Sequence, residues 1–258
     1  MFAKNAFRQN FIYRANTIID MLTTMLYLLI QFNIWQALYH TQSVVETVSL
    51  QQMLTYCVIG ELVLPFTSNS IAYTLGTKIR TGEIGGDFVR PINLKLYLFS
   101  DQLGNSLYMF CFRFIPAAVM TVIFGAFMLP QSVWHGMMFA VTLFLGITLQ
   151  FLISYALGLI VFWIKKDTFV SWLMRALVNL FAGSVVPLWF YPDVLRNIAL
   201  YLPFRYVTYE PIAIYLGQTS TSDFFFTVLM QLLWIAVVYL VGRVVWARAE
   251  KIVVVQGG

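Results

Sequence analysis

The chain has 258 residues, of which 60% are hydrophobic and only 10% charged, with a net charge of +5. A soluble domain carries about 25% charged residues, so this composition excludes a water-soluble domain and makes the bilayer the chain's solvent. The basic excess is therefore to be read by its position along the chain, not as a nucleic-acid signal.

Residues 1–16 are basic with interleaved aromatics. Phe7 and Phe11 share one face at i,i+4, and Lys4 and Arg8 share another, which predicts a short helix lying in the membrane interface. The first apolar run, residues 18–39, would cover roughly 33 Å as a helix, enough to span. No small-residue cleavage site follows it, so it reads as a span and not a signal peptide. Further spans are expected over residues 53–75, 97–129, 134–164, 169–189 and 224–245. The third is overlong, so its first turns are expected to project from the membrane. Residues 190–222 carry Pro192, Pro203 and Pro211 in a stretch still rich in Leu, Ile, Tyr and Phe. It is too broken to span and too apolar for a free loop, so short re-entrant helices on the outer side are expected.

Charge sets the orientation. Lys4, Arg8, Arg14, Lys78, Arg80, Arg90, Lys95, Lys165, Lys166, Arg175, Arg243, Arg248 and Lys251 fall on one side; only Arg196 and Arg205 fall on the other. The positive-inside rule then gives six spans with both termini in the cytoplasm. The fold class read from the sequence is an all-α integral membrane protein forming a single transmembrane domain over residues 1–258.

The densest cluster of charge is residues 78–91, K-I-R-T-G-E-I-G-G-D-F-V-R-P, on the cytoplasmic side. On one continuous helix, Arg80, Glu83, Asp87 and Arg90 would form a single charged stripe, with Ile84 and Phe88 on a neighbouring face. Gly82, Gly85 and Gly86 each weaken such a helix by roughly 1 kcal/mol, and Pro91 stops it. A helix this poor in propensity needs something to hold it.

Two ionisable residues fall deep inside spans, Glu61 and Arg113. If their helices are adjacent, the two differ in depth by roughly 10 Å on the helical rise, part of which an arginine can close by snorkelling. A structural ion pair and a path or gating contact are both open. The fourth span carries Thr142, Gly146, Gln150, Ser154 and Gly158 at i+4 spacing; the fifth carries Arg175, Asn179, Gly183 and Pro187. Such ridges suit close helix packing, the alternative being that Gln150, Arg175 and Asn179 line a path. Cys57 and Cys111 lie in apolar runs and read as small buried hydrophobes. His40 and His135 stand alone, and no metal-ligand spacing occurs.

No G-x-x-x-x-G-K-S/T, G-x-S-x-G or H-E-x-x-H is present, so the sequence shows no phosphate cradle or hydrolase signature of its own. The spans show no paired broken helices of the inverted-repeat kind, no regularly spaced arginines and no T-V-G-Y-G filter.

The order of these parts resembles the permease subunits of type-2 ABC exporters, the ABC-2 family. The residues that carry the resemblance are I-W-Q-A-L at Ile34 to Leu38, R-T-G-E-I-G-G-D-F-V-R-P-I at Arg80 to Ile92, and V-Q-G-G at Val255 to Gly258. They look most like a bacterial branch of that family once grouped as uncharacterised membrane proteins, and the resemblance covers essentially the whole chain. It implies that Arg80, Gly82, Glu83, Asp87, Phe88 and Arg90 belong to a coupling helix seated on a separate ABC ATPase, present in two copies, which holds the ATP and Mg. It also implies a second permease chain, identical or a sister, and residence in a bacterial inner membrane. No cofactor, metal or catalytic residue is expected on this chain. The expected cargo is lipid-like, drug-like or peptide, since no soluble substrate domain is attached. The competing readings are a membrane-embedded lipid-modifying enzyme, for which Asp20 and Asp101 stand near the inner surface but isolated in sequence, and an ATP-independent channel or carrier.

Overall fold

The computed structural model describes residues 2–40, 44–45, 48–67, 71–89, 93–125, 127–164 and 167–256. Helix α1 (Phe2–Gln9) leads through a 3-10 turn into α2 (Arg14–Leu38). A two-residue antiparallel ladder, Val44–Val45 with Val48–Ser49, precedes α3 (Leu50–Thr67). This ladder is a small addition to the all-α expectation. Helix α3 opens on a capping box. The Ser49 hydroxyl accepts from the Gln52 N–H at 3.2 Å, and the Gln52 side chain accepts from the Ser49 N–H at 2.9 Å, which satisfies two orphan donors reciprocally. Pro65 inside α3 has no N–H for the Glu61 carbonyl.

The chain continues with α4 (Ile71–Thr81), α5 (Glu83–Val89), α6 (Leu94–Phe124), α7 (Val133–Leu159), α8 (Val161–Ile164) and α9 (Asp167–Phe181). The outer segment forms α10 (Asp193–Leu200), a 3-10 turn (Pro203–Tyr206) and α11 (Tyr209–Tyr215) before the long final helix α12 (Thr221–Gln256). Helix α6 is capped by Asn93, which accepts from the Leu96 N–H, and ends at Gly125 in the left-handed region.

Among the described residues, four helical stretches are long and apolar enough to cross a membrane: Ala15–Leu38, Leu94–Phe124, Val133–Ile164 and Ser222–Ala249. The other two expected spans are built from shorter helices. Helix α3 has 18 residues and α9 has 15; the latter covers roughly 22 Å against a hydrocarbon core of about 30 Å. Helix α9 stops because Gly183, at φ +66°, turns the chain toward Pro187 and the outer segment.

Helix α7 is the hub. Its apolar window is 61% buried within the chain, against 17% for α12, and it packs against α4, α11 and α12. Its ridge is where they close. A Cβ on Gly146 would stand 2.7 Å from the Val207 carbonyl oxygen, and one on Gly158 would stand 3.0 Å from Ala72 Cα. Thr142 and Ser154 on the same ridge are fully buried. In a bilayer, where lipid tails are as apolar as leucine, such close approach is what associates helices.

Helix α6 organises the rest, with α1, α2 and α3 against it. The aromatic face of the N-terminal segment is taken up by Tyr108 of α6, with ring centroids 5.5 Å from Phe7 and 5.0 Å from Phe11. Tyr108 also shares a hydrogen bond of 2.9 Å with Thr17. Gly104 leaves room for this docking, since a Cβ there would lie 2.2 Å from the Ala3 carbonyl oxygen. Helix α1 is thus fastened to α6 by its apolar face, with Lys4 and Arg8 exposed.

Candidate functional site

Arg113 of α6 reaches two carboxylates on two other helices. Its Nε and Nη2 donate to Asp20 of α2 at 3.0 and 2.7 Å, and its Nη1 donates to Glu61 of α3 at 2.9 Å. The three side chains are 16%, 22% and 8% exposed respectively. The side-on fork to Asp20 is the strong, geometry-specific form of this pairing. Two acids against one base give the triad a formal charge of −1 when both acids are ionised, and in a region of low dielectric such a charge is costly unless balanced.

The helix depths read from sequence left Arg113 and Glu61 uncertain as partners. The long arginine side chain closes that gap and meets Asp20 as well. Asp20 is the member that sequence reasoning missed. It was grouped with Asp101 near the inner surface, although it is the one acid within the first apolar run, and that position was the available signal.

The triad separates two cavities, and Arg113 lines both. One, of about 220 Å³, has Asp20, Gln102, Asn105 and Ser106 in its wall beside Pro65 and Met109. Here the Ser106 hydroxyl donates to the Pro65 carbonyl at 2.7 Å. Asn10, just beyond α1, donates to the Asn105 side-chain oxygen at 2.7 Å, so the N-terminal segment is tied to this wall. The other, of about 210 Å³, is lined by Thr24, Tyr27, Glu61, Leu64, Asn179 and Ser184 among others.

Among the residues expected to line a path, the structure therefore brings Glu61, Arg113 and Asn179 to one cavity. Gln150 lies elsewhere. It is 1% exposed and its amide donates to the Thr67 carbonyl at 2.7 Å, satisfying an orphan carbonyl at the end of α3. Arg175 is exposed on α9 beside Trp172, which is also exposed, and neither lines the two cavities.

The charged stretch is not one helix. Gly82 takes φ +79°, a conformation that favours glycine, and breaks it into α4 and α5. The single stripe expected from spacing is corrected accordingly: Arg80 lies in the last turn of α4, and Glu83 opens α5, where a negative charge suits the helix N-terminus. Arg80, Gly82 and Glu83 are exposed at this knuckle. Ile84 holds it down, buried in a cluster with Leu75, Leu98 and Phe162, so part of the support comes from the chain itself. The side chains of Asp87 and Phe88, and Arg90 as a whole, lie outside the described residues.

The outer segment is anchored by polar contacts. Gln231 of α12 donates to the carbonyls of Thr142 and Tyr206 at 2.8 and 2.9 Å. Tyr56 of α3 donates to the Gly183 carbonyl at 2.6 Å. Arg205 pairs with Glu210 at the base of α11, and α11 is buried on all sides.

The architecture is that of a multi-pass helical membrane protein, with exposed apolar helices around a few buried polar contacts. Residues 25–257 match the family described as ABC-2 family transporter protein, and the chain belongs to that family. No curated protein matches it at a significant level. The chain is accordingly a transport membrane subunit and not an enzyme; in this family the ATPase activity sits on a separate subunit.

Proposed function

We propose that this chain is the permease of an ATP-driven exporter in a bacterial inner membrane, with both termini cytoplasmic. The proposed topology has six crossings, α3 with α4 and α9 completing the set, and outer re-entrant helices α10 and α11. Two permease chains, identical or sister, and two ATPase subunits make up the proposed complex. A lipid-like, drug-like or peptide cargo is the proposed substrate.

The observation that carries this reading is the knuckle at Gly82. An exposed, charged turn between α4 and α5, with Leu75 and Ile84 buried behind it, suits a part that must transmit displacement from a docked partner to helices behind it. Closure of the ATPase pair on ATP would push α5, and α4 would pass the movement to α7 and α9, against which it packs. Charge-assisted contacts from Arg80, Glu83, Asp87 and Arg90 would hold the partner. Replacing Glu83 and Asp87 together by alanine, in a complex with its ATPase, is expected to uncouple transport and abolish stimulated hydrolysis. Full transport in a correctly inserted double variant would overturn the coupling role.

A further inference from the structure

We propose that the cavity walled by Thr24, Glu61 and Ser184 binds the primary ammonium head of an amphiphilic cation, with the Glu61 carboxylate as counter-ion. This rests on reading the chain as a transport subunit and names a substrate class for it.

Charge points to a cation. With both acids ionised, Asp20 and Glu61 against Arg113 carry a formal charge of −1, which a cation brought to the site would balance. Arg113 faces this cavity too, but its guanidinium is already held by both acids, so the net attraction is for positive charge.

Unpartnered hydroxyls point to a donor-rich ligand. Thr24 is 2% exposed, it lines the cavity, and its Oγ has no hydrogen-bond partner among the described residues. Ser184 Oγ, in the same wall, is likewise buried without a partner. Buried hydroxyls are costly to leave unsatisfied. An alkylammonium carries three N–H donors and no acceptor, which matches in number the carboxylate and the two hydroxyls of this wall. Tyr27 and Leu64 add apolar surface to the wall.

Size sets how much of the ligand enters. At about 210 Å³ the cavity is smaller than the roughly 300–1,000 Å³ of pockets that enclose drug-sized molecules. It takes a head group, and the tail stays outside among the helices or lipid.

The test is equilibrium binding of radiolabelled dodecylammonium to the full chain in lipid nanodiscs, without nucleotide or ATPase. Saturable binding is expected, not competed by dodecanol. Glu61→Gln keeps the Arg113–Asp20 pair and removes the excess charge; affinity is expected to fall at least about tenfold, the scale of one charge-assisted contact. Ser184→Ala, outside the triad, is expected to weaken binding about threefold, as for one neutral hydrogen bond. Unchanged affinity in both variants, or equal competition by dodecanol, would overturn the proposal. Displacement by Na⁺ or K⁺ at constant ionic strength would also overturn it, by marking an inorganic-cation site. Because no ATPase is present, failure here leaves the coupling role of α5 standing, and failure of the Glu83/Asp87 test leaves this site standing.

Discussion

Arg113 grips Asp20 side-on, Nε to Oδ2 at 3.0 Å and Nη2 to Oδ1 at 2.7 Å, and so ties α2 to α6. Removing the base should cost more than removing either acid. Arg113→Leu strands two carboxylates in the membrane interior, and breaking a buried pair this way costs about 3–5 kcal/mol. Glu61→Gln leaves a balanced one-to-one pair and should cost far less. The yield and thermal midpoint of monodisperse protein in detergent would rank them; equal losses would remove the triad's asymmetry. Arg113→Lys should rescue poorly, because an ammonium cannot reproduce the fork.

Glycines at closures and at the knuckle should respond in opposite directions. Gly146→Ala forces a Cβ to 2.7 Å from the Val207 carbonyl oxygen, and overpacking of this kind typically costs about 1–3 kcal/mol. Gly85→Ala meets nothing within 4 Å and should stabilise α5 by roughly 1 kcal/mol through helix propensity. Thermal midpoints would show the contrast, and a stabilised Gly146→Ala would mean that the approach of α7 to the outer segment is looser than described.

At Gly82 the constraint is backbone conformation, not space. Its Cβ would meet nothing, yet φ is +79°, and an L-residue pays about 1–2 kcal/mol for left-handed backbone. Gly82→Ala is therefore expected to straighten the α4–α5 junction and lower ATPase-coupled transport while the protein still inserts normally. Normal coupling in that variant would show that the bend is dispensable.

Gln231 bridges two carbonyls that belong to different parts of the chain, Thr142 on α7 and Tyr206 in the outer segment. Gln231→Leu removes that donor; the Thr142 carbonyl, inside α7, keeps its helical bond, and the Tyr206 carbonyl at the end of the 3-10 turn is left short of a partner, at about 1–3 kcal/mol. The outer segment should loosen first. Hydrogen exchange of the Tyr209–Tyr215 amides would report it, with faster exchange expected there and little change in α6.

The individual parts differ in how far their residues announced them. Composition and the run of apolar residues made α2, α6, α7 and α12 legible, because a membrane helix needs only a long, predominantly apolar stretch. The ridge from Thr142 to Gly158 was legible as a packing face for the same local reason. The stripe over Arg80 to Arg90 misled, because side-chain spacing assumes a continuous helix and Gly82 breaks it. Gln150 and Asn179 looked alike in sequence, yet one satisfies the end of α3 and the other faces a cavity. That difference depends on which neighbour stands opposite, and periodicity carries no such information.

The sequence by itself determined that this chain lives in a bilayer, where its long helices run, and that Glu61 and Arg113 lie within apolar segments, since each follows from the local cost of placing polar groups in hydrocarbon. Only the tertiary structure decided that Asp20 completes the triad, that two cavities flank Arg113, and that α7 is the hub. Those depend on how helices far apart in sequence turn toward one another, and in a membrane that choice rests on close packing and a few buried polar contacts, not on hydrophobic pattern.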